Sequence, residues 1–217
     1  MEGFELNEES CVFLLRDLSG DDNEKLTALN IISILALENP DFSSSFPLRD
    51  LAQALANLLT SSHSDEIIIA DLQCITSLIT SSILIQLFFL SDDLFRQINT
   101  VLNTTESVDV ASSCFRLVNL FSSDKPFIVN SLDVKPFHKF FDQLSPVDQR
   151  DLITMLSRLA EGSTIKDMSS FLPFSIQITN HSDQHIRKIA SQLILSISGK
   201  MNLKKFPNDI FDQLIEL

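Results

Sequence analysis

The feature that most restricts this chain is a recurrence. A segment opens on Ser, steps through an acidic or polar residue and runs on as an amphipathic helix. It reads SDEIIIADLQCITSLI from Ser64, SVDVASSCFRLVNLF from Ser107, SPVDQRDLITMLSRLA from Ser145 and SDQHIRKIASQLILSI from Ser182. The starts lie 43, 38 and 37 residues apart, and SGDDNEKLTALNIISILAL at Ser19 leads by 45. Self-similarity at such a period means that each unit is one small helical element. Its apolar face must be covered by the next unit.

The apolar spacing within these segments is helical. Leu152, Met155, Leu156, Leu159 and Ala160 fall at i, i+3, i+4, i+7 and i+8. Ile186, Ile189, Ala190, Leu193, Ile194 and Ile197 repeat the pattern, and Ala111, Cys114, Phe115, Val118 and Phe121 follow it closely. That is the stripe of a helix packed on one broad face. Ser at each start can accept from the first-turn N–H groups, and nearby acids suit the positive end of the helix dipole. No strand-like alternation is sustained.

A second helix recurs between them, at PLRDLAQALANLLTSS from Pro47, SDDLFRQINTVLNTT from Ser91 and DVKPFHKFFDQLS from Asp133. Further copies start at Asp167 and at Pro207. Short stretches such as SSILIQLFFL supply a third, shorter helix or a turn. Two long helices and a short lead-in over about 40 residues suit armadillo or HEAT repeats. The expectation is an all-α, armadillo/HEAT-like α-α superhelix of about five repeats, one domain over residues 1–217. The last repeat lacks its long helix, so the chain reads as a piece or the N-terminal part of a longer array.

Only 4 glycines and 7 prolines punctuate the 217 residues, and hydrophobic residues make up 44%. Cys11, Cys74 and Cys114 lie far apart without a CxxC, which reads as buried thiols in a reducing, cytoplasmic or nuclear setting. The acidic N-terminus MEGFELNEES does not resemble a signal peptide. The most apolar run, residues 67–90, is interrupted by Asp71, Gln73, Gln86 and several Ser and Thr. It reads as a buried helix, a break at Ser81-Ser82 and a short second helix, not a membrane span. The net charge of −13 is uneven: residues 1–110 hold 18 acids and 4 bases, residues 111–217 hold 11 acids and 12 bases. An acidic front half disfavours nucleic acid and anionic membranes and suits a basic segment of another protein.

CFRLVNLFSSD, residues 114–124, resembles the third helix of an armadillo repeat, with the Asn119-Leu120 pair in place. KFFDQLSPVDQRDL is similar to part of the N-terminal armadillo region of HECT ubiquitin ligases of the ubiquitin-fusion-degradation, thyroid-receptor-interactor type. Phe140, Phe141, Asp142, Gln149 and Arg150 carry that likeness. It implies a non-catalytic scaffold that engages substrates for ubiquitination ahead of a distant catalytic domain. The catalytic HECT cysteine and its domain are absent from these residues, as is the Gly that breaks each repeat before its second helix. The alternative is a general armadillo adaptor in transport, cytoskeletal or phosphatase regulation.

No catalytic constellation is legible. The glycines at 3, 20, 162 and 199 exclude GxGxxG and the phosphate-binding loop. His181 and His185 are four apart, but His181 precedes the expected helix start, so no zinc pair is assigned. No metal, cofactor or enzyme activity is expected of this chain. With 0 Trp, the Trp–Asn ladder by which import-receptor armadillo repeats hold basic peptides cannot form; Ser77, Arg158 and Ser196 occupy the places analogous to Asn119. In such solenoids the long helices line the binding surface. Their polar positions outside the stripe are the candidate partner-binding residues: Asp71, Arg116, Asn119, Arg150, Arg158, Arg187 and Gln192. The basic cluster Arg187, Lys188, Lys200, Lys204 and Lys205 lacks interleaved aromatics and reads as a solvated face.

Overall fold

The computed structural model describes residues 6–62, 64–89, 92–122, 133–162 and 171–200, and these contain no strand. They divide into two compact units, residues 1–117 and 118–217.

The first unit holds α1 (Glu8–Asp17), α2 (Asp22–Glu38), α3 (Phe42–Ser45), α4 (Leu48–Ser61), α5 (Asp65–Ser81), α6 (Ile83–Phe89) and α7 (Asp92–Thr104), with residues 108–117 of α8 (Val108–Ser122). The long helices α2 and α5 pack on each other, and α4 packs on α7. Between them α2 and α5 bury Leu29, Ile32, Leu72, Ile75 and Leu78, all at 1% exposure or less. Burying a side chain of that size stabilises by roughly 1.5–3 kcal/mol.

Helix α1 is not anticipated by the Ser-led recurrence. It packs on the long helix α2 as α4 packs on α5, it touches α4, and its start precedes that of α4 by 40 residues. It is therefore the second-type helix of the first repeat. Asn7 and Ser10 start it by a reciprocal cap: the Ser10 N–H donates to Asn7 Oδ1 and the Asn7 N–H to Ser10 Oγ, each at 2.9 Å.

The second unit holds residues 118–122 of α8, then α9 (Lys135–Phe140) continued by a 3₁₀ turn (Phe141–Gln143), α10 (Pro146–Gly162), α11 (Leu172–Ile178) and α12 (Gln184–Lys200). Here α10 packs on α12, and α11 packs on α12. The expected stripes of α10 and α12 are buried throughout. The second-type helices α9 and α11 are much shorter than their counterparts in the first unit. Pro136 and Pro173 each sit in a first helical turn, where their missing N–H is harmless, and so fix where those helices can begin. At the far end of α9 the residue before Pro146 is biased away from helix. Leu144 is already extended, and its N–H closes the turn on the carbonyls of Phe140 and Phe141.

The recurrence survives in the helix starts. Helices α2, α5, α8, α10 and α12 begin at 22, 65, 108, 146 and 184. Their caps differ from the uniform Ser expectation. Asp21 caps α2 reciprocally with Glu24, and Asp183 caps α12 by accepting from the N–H groups of His185 and Ile186. Ser145 caps α10 by accepting from the Asp148 N–H, while Ser64 makes no side-chain cap bond. A carboxylate accepts more strongly than a hydroxyl and also suits the helix dipole. The helix expected from Pro207, and the start expected at Asp167, lie outside the described residues.

Candidate binding surface

Burying one stripe of each long helix fixes what the rest of that helix can present. In α2 the exposed positions include Thr27 and Asn30; in α5, Gln73 and Thr80; in α10, Asp151 and Arg158; in α12, Lys188 and Gln192. Many hydroxyls on these helices are occupied internally. Thr76 donates to the Leu72 carbonyl at 2.8 Å, Thr154 to Arg150 at 2.7 Å and Ser191 to Arg187 at 3.0 Å. Such back-bonds to the preceding turn leave the charged and amide side chains as the groups best able to engage a partner.

The seven candidate residues do not share one environment. Arg116, Arg158 and Gln192 are exposed, and Asn119 is half-buried. Arg150 is exposed but engaged: its Nε donates to Asp183 Oδ2 at 2.9 Å, and its Nη2 donates to the same oxygen. Arg187 is half-buried, and its Nη1 donates to the carbonyls of His181 and Ser182, both at 2.8 Å. Both arginines tie the start of α12 in place. Among the described residues, Arg158 makes no ion pair.

Asp71 departs from expectation altogether. It is not a surface residue of α5 but lies inside the first unit, 0% exposed. Among the described residues, neither carboxylate oxygen has a hydrogen-bond partner. Burial pushes its pKa well above the ordinary carboxylate range, so the side chain is held toward its neutral form. Asp71 follows Ile68 by three and precedes Ile75 by four, which places it in the inner stripe. The Cys74 thiol, on the same helix, is raised chiefly by burial, and Ser33 of α2 lies close enough to oppose that rise. Asp71 therefore belongs to the seam between α2 and α5.

The residues that carry the ubiquitin-ligase likeness also have packing roles. Phe140 and Phe141 are buried. The Gln149 side-chain amide donates to the Phe141 carbonyl at 2.9 Å, closing the 3₁₀ turn onto α10. Phe141 meets Phe174 edge-on at 5.4 Å, and Phe137 meets Phe171 edge-on at 5.1 Å. His138 packs edge-on against Phe174 at 5.0 Å, and His181 against Phe141 at 5.8 Å. A cavity of about 200 Å³ opens beside them, lined by His138, Asp142, Gln177 and His181 among others. The two histidines are aromatic packing partners there. Among the described residues no group of three His, Cys, Asp or Glu side chains could hold a metal ion, and no helix is long and apolar enough to cross a membrane.

No protein-family model matches this chain, and no curated protein matches it. Solved structures do. A designed armadillo repeat protein, YIII(Dq)4CqI, aligns with a TM-score of 0.59 at 16% identity, covering 94% of this chain and 86% of that one. A second, YIII(Dq.V1)4CPAF in complex with the peptide (KR)4, aligns with a TM-score of 0.63 at 16% identity, covering 94% and 85%. The chain has the armadillo-repeat fold. At this identity the likeness carries the fold alone. It accords with the long, second and short helices recurring in the order deduced above.

Proposed function

We propose that this chain is a non-catalytic scaffold that binds a protein partner through the outward positions of its long helices. The observation that carries the reading is the division of labour on those helices. Their apolar stripes are buried, and Arg116, Arg158 and Gln192 stand exposed away from them. The peptide held by one designed armadillo neighbour supports the same use of the fold.

With Asp71 buried, the remaining candidates carry only positive or neutral side chains. We assign them to an acidic or amide-rich segment of the partner, and the acidic surface of residues 1–110 to a basic segment. The continuing rhythm of helix starts supports one repeat domain across residues 1–217, and the three buried free thiols support a reducing compartment, cytoplasm or nucleus.

Selection of displayed random dodecapeptides against the immobilised chain tests the reading. The expected result is enrichment of acidic peptides whose affinity falls about tenfold, a change of ~1.4 kcal/mol, in the Arg158→Glu/Gln192→Glu variant. Failure to enrich, or equal binding to both proteins, would reject the surface.

The narrower proposal is the substrate-recognising region of a HECT-type ubiquitin ligase. It rests on Phe140, Phe141, Asp142, Gln149 and Arg150, four of which have the packing or ion-pair roles described above. It predicts a coding sequence that continues in frame into a HECT domain; a stop codon after Leu217 would favour the adaptor reading.

A further inference from the structure

Helix α6 is seven residues long, and its two faces are both apolar. Ile85 and Phe89 point inward and are 1% and 2% exposed. Ile83, Leu84, Leu87 and Phe88 are 77%, 60%, 55% and 51% exposed. At about 100° per residue these four fill one continuous arc of about 140° opposite Ile85 and Phe89. A surface helix ordinarily places polar residues on that arc. Here none stands on it. Among the described residues, the other exposed large apolar residues are the Val12–Phe13 pair on α1 and Leu37, Val147 and Leu195, one to a helix. A contiguous exposed apolar face marks an interaction site.

The surroundings of α6 indicate what would cover it. Ser81, Ser82 and Ile85 line a cavity of about 220 Å³ together with Leu37 and Glu38 from the end of α2. Leu37 is itself an exposed large apolar residue, and Glu38 and Asp41 are exposed acids. Among the described residues, no Lys or Arg lines that cavity. The whole stretch 1–110 carries 18 acids against 4 bases.

We propose that the outward face of α6, with the Leu37–Glu38 end of α2, docks an amphipathic helix of a protein partner. The partner helix is apolar on its docked side and carries Lys or Arg along its flanks. Helix-in-groove recognition uses apolar anchors at i, i+3, i+4 and i+7. The α6 arc offers the matching apolar strip. Glu38, Asp41 and the acidic field of the first unit meet the basic flanks and steer their approach. This surface uses none of Arg116, Asn119, Arg150, Arg158, Arg187 and Gln192, so the Arg158→Glu/Gln192→Glu variant tests the scaffold reading without altering it.

Fluorescence anisotropy with the full chain tests it, using a labelled helical peptide of leucine and lysine patterned at 3.6 residues and its leucine–glutamate counterpart as probes. The expected result is binding of the leucine–lysine peptide at least about tenfold tighter than its acidic counterpart. Leu84→Gln/Phe88→Gln keeps every charge and alters only exposed positions, so it should melt as the wild type does yet bind about tenfold more weakly; Leu195→Gln on α12 should bind as the wild type does. Equal binding by Leu84→Gln/Phe88→Gln overturns the proposal. So does sedimentation showing that the chain pairs with a second copy through this face, or attachment to neutral phosphatidylcholine vesicles that the same double variant abolishes.

Discussion

Gln149 and Phe141 are joined by a buried hydrogen bond that spans eight residues: the Gln149 side-chain amide donates to the Phe141 carbonyl at 2.9 Å. It fixes the angle between the 3₁₀ turn and α10. Gln149→Leu fills similar space but removes one of the two donors to that carbonyl, leaving only the Leu144 N–H. The expected loss is roughly 0.5–1.5 kcal/mol, the net contribution of one hydrogen bond. Urea unfolding followed by far-UV circular dichroism reads it as a lower midpoint with an unchanged slope.

Asp71 gives the chain an inverted carboxylate pH dependence. Its folded pKa is raised by burial, while the unfolded value is about 3.9. Below about 3.9 both states hold the proton and the residue is neutral in its effect. As pH rises past that value the unfolded chain releases the proton and the folded chain keeps it, so stability falls until the folded pKa is reached. Asp71→Asn removes this penalty. Its melting temperature should exceed that of the wild type at pH 7, with the gap closing as pH approaches 4. A constant gap across that window would contradict the assignment.

Asp183 behaves in the opposite sense. The Arg150 guanidinium, with lesser help from the N–H groups of His185 and Ile186, holds its pKa at about 2. The stabilisation it brings is present above the unfolded value and is lost as pH falls toward 2. Asp183→Asn retains a capping oxygen and removes the charge. It should melt below the wild type at pH 7 and match it near pH 2. An NMR titration of Asp183 in an Arg150→Gln background should move its midpoint up toward the ordinary range.

The thiols provide a chemical readout of packing. Burial pushes Cys74 up to about 12 and raises Cys114 further. The thiolate is the reactive form. With iodoacetamide at pH 8, native protein should remain unmodified at both positions over a period in which urea-unfolded protein is fully alkylated. Mass spectrometry of tryptic peptides distinguishes the two. Rapid labelling of Cys74 in native protein would contradict the α2–α5 seam.

The long helices were legible because each stripe repeats an i, i+3, i+4 spacing and each start recurs at nearly constant intervals. Leu152 to Ala160 and Ile186 to Ile197 are buried as that spacing requires. The same spacing places Asp71 in the stripe, but an ionisable side chain reads as surface when residue type is weighed above position. Helix α1 lacks the Ser-led signature, and its signal is the Asn7–Ser10 pair ahead of Cys11 and Leu14. The engagement of Arg150 by Asp183 links residues 33 apart, and no local pattern announces it. The outward face of α6 was hidden by its own composition, because ILIQLFF carries apolar residues on both sides and looks like core.

The most direct test of the whole account is the thermal unfolding of Leu156→Asp, followed by circular dichroism at 222 nm. Leu156 is 0% exposed at the centre of the α10 stripe, and a carboxylate there would be buried without a partner. The account predicts loss of the cooperative transition. A melting curve superimposable on that of the wild type would contradict the claim that these recurring stripes hold successive helices together.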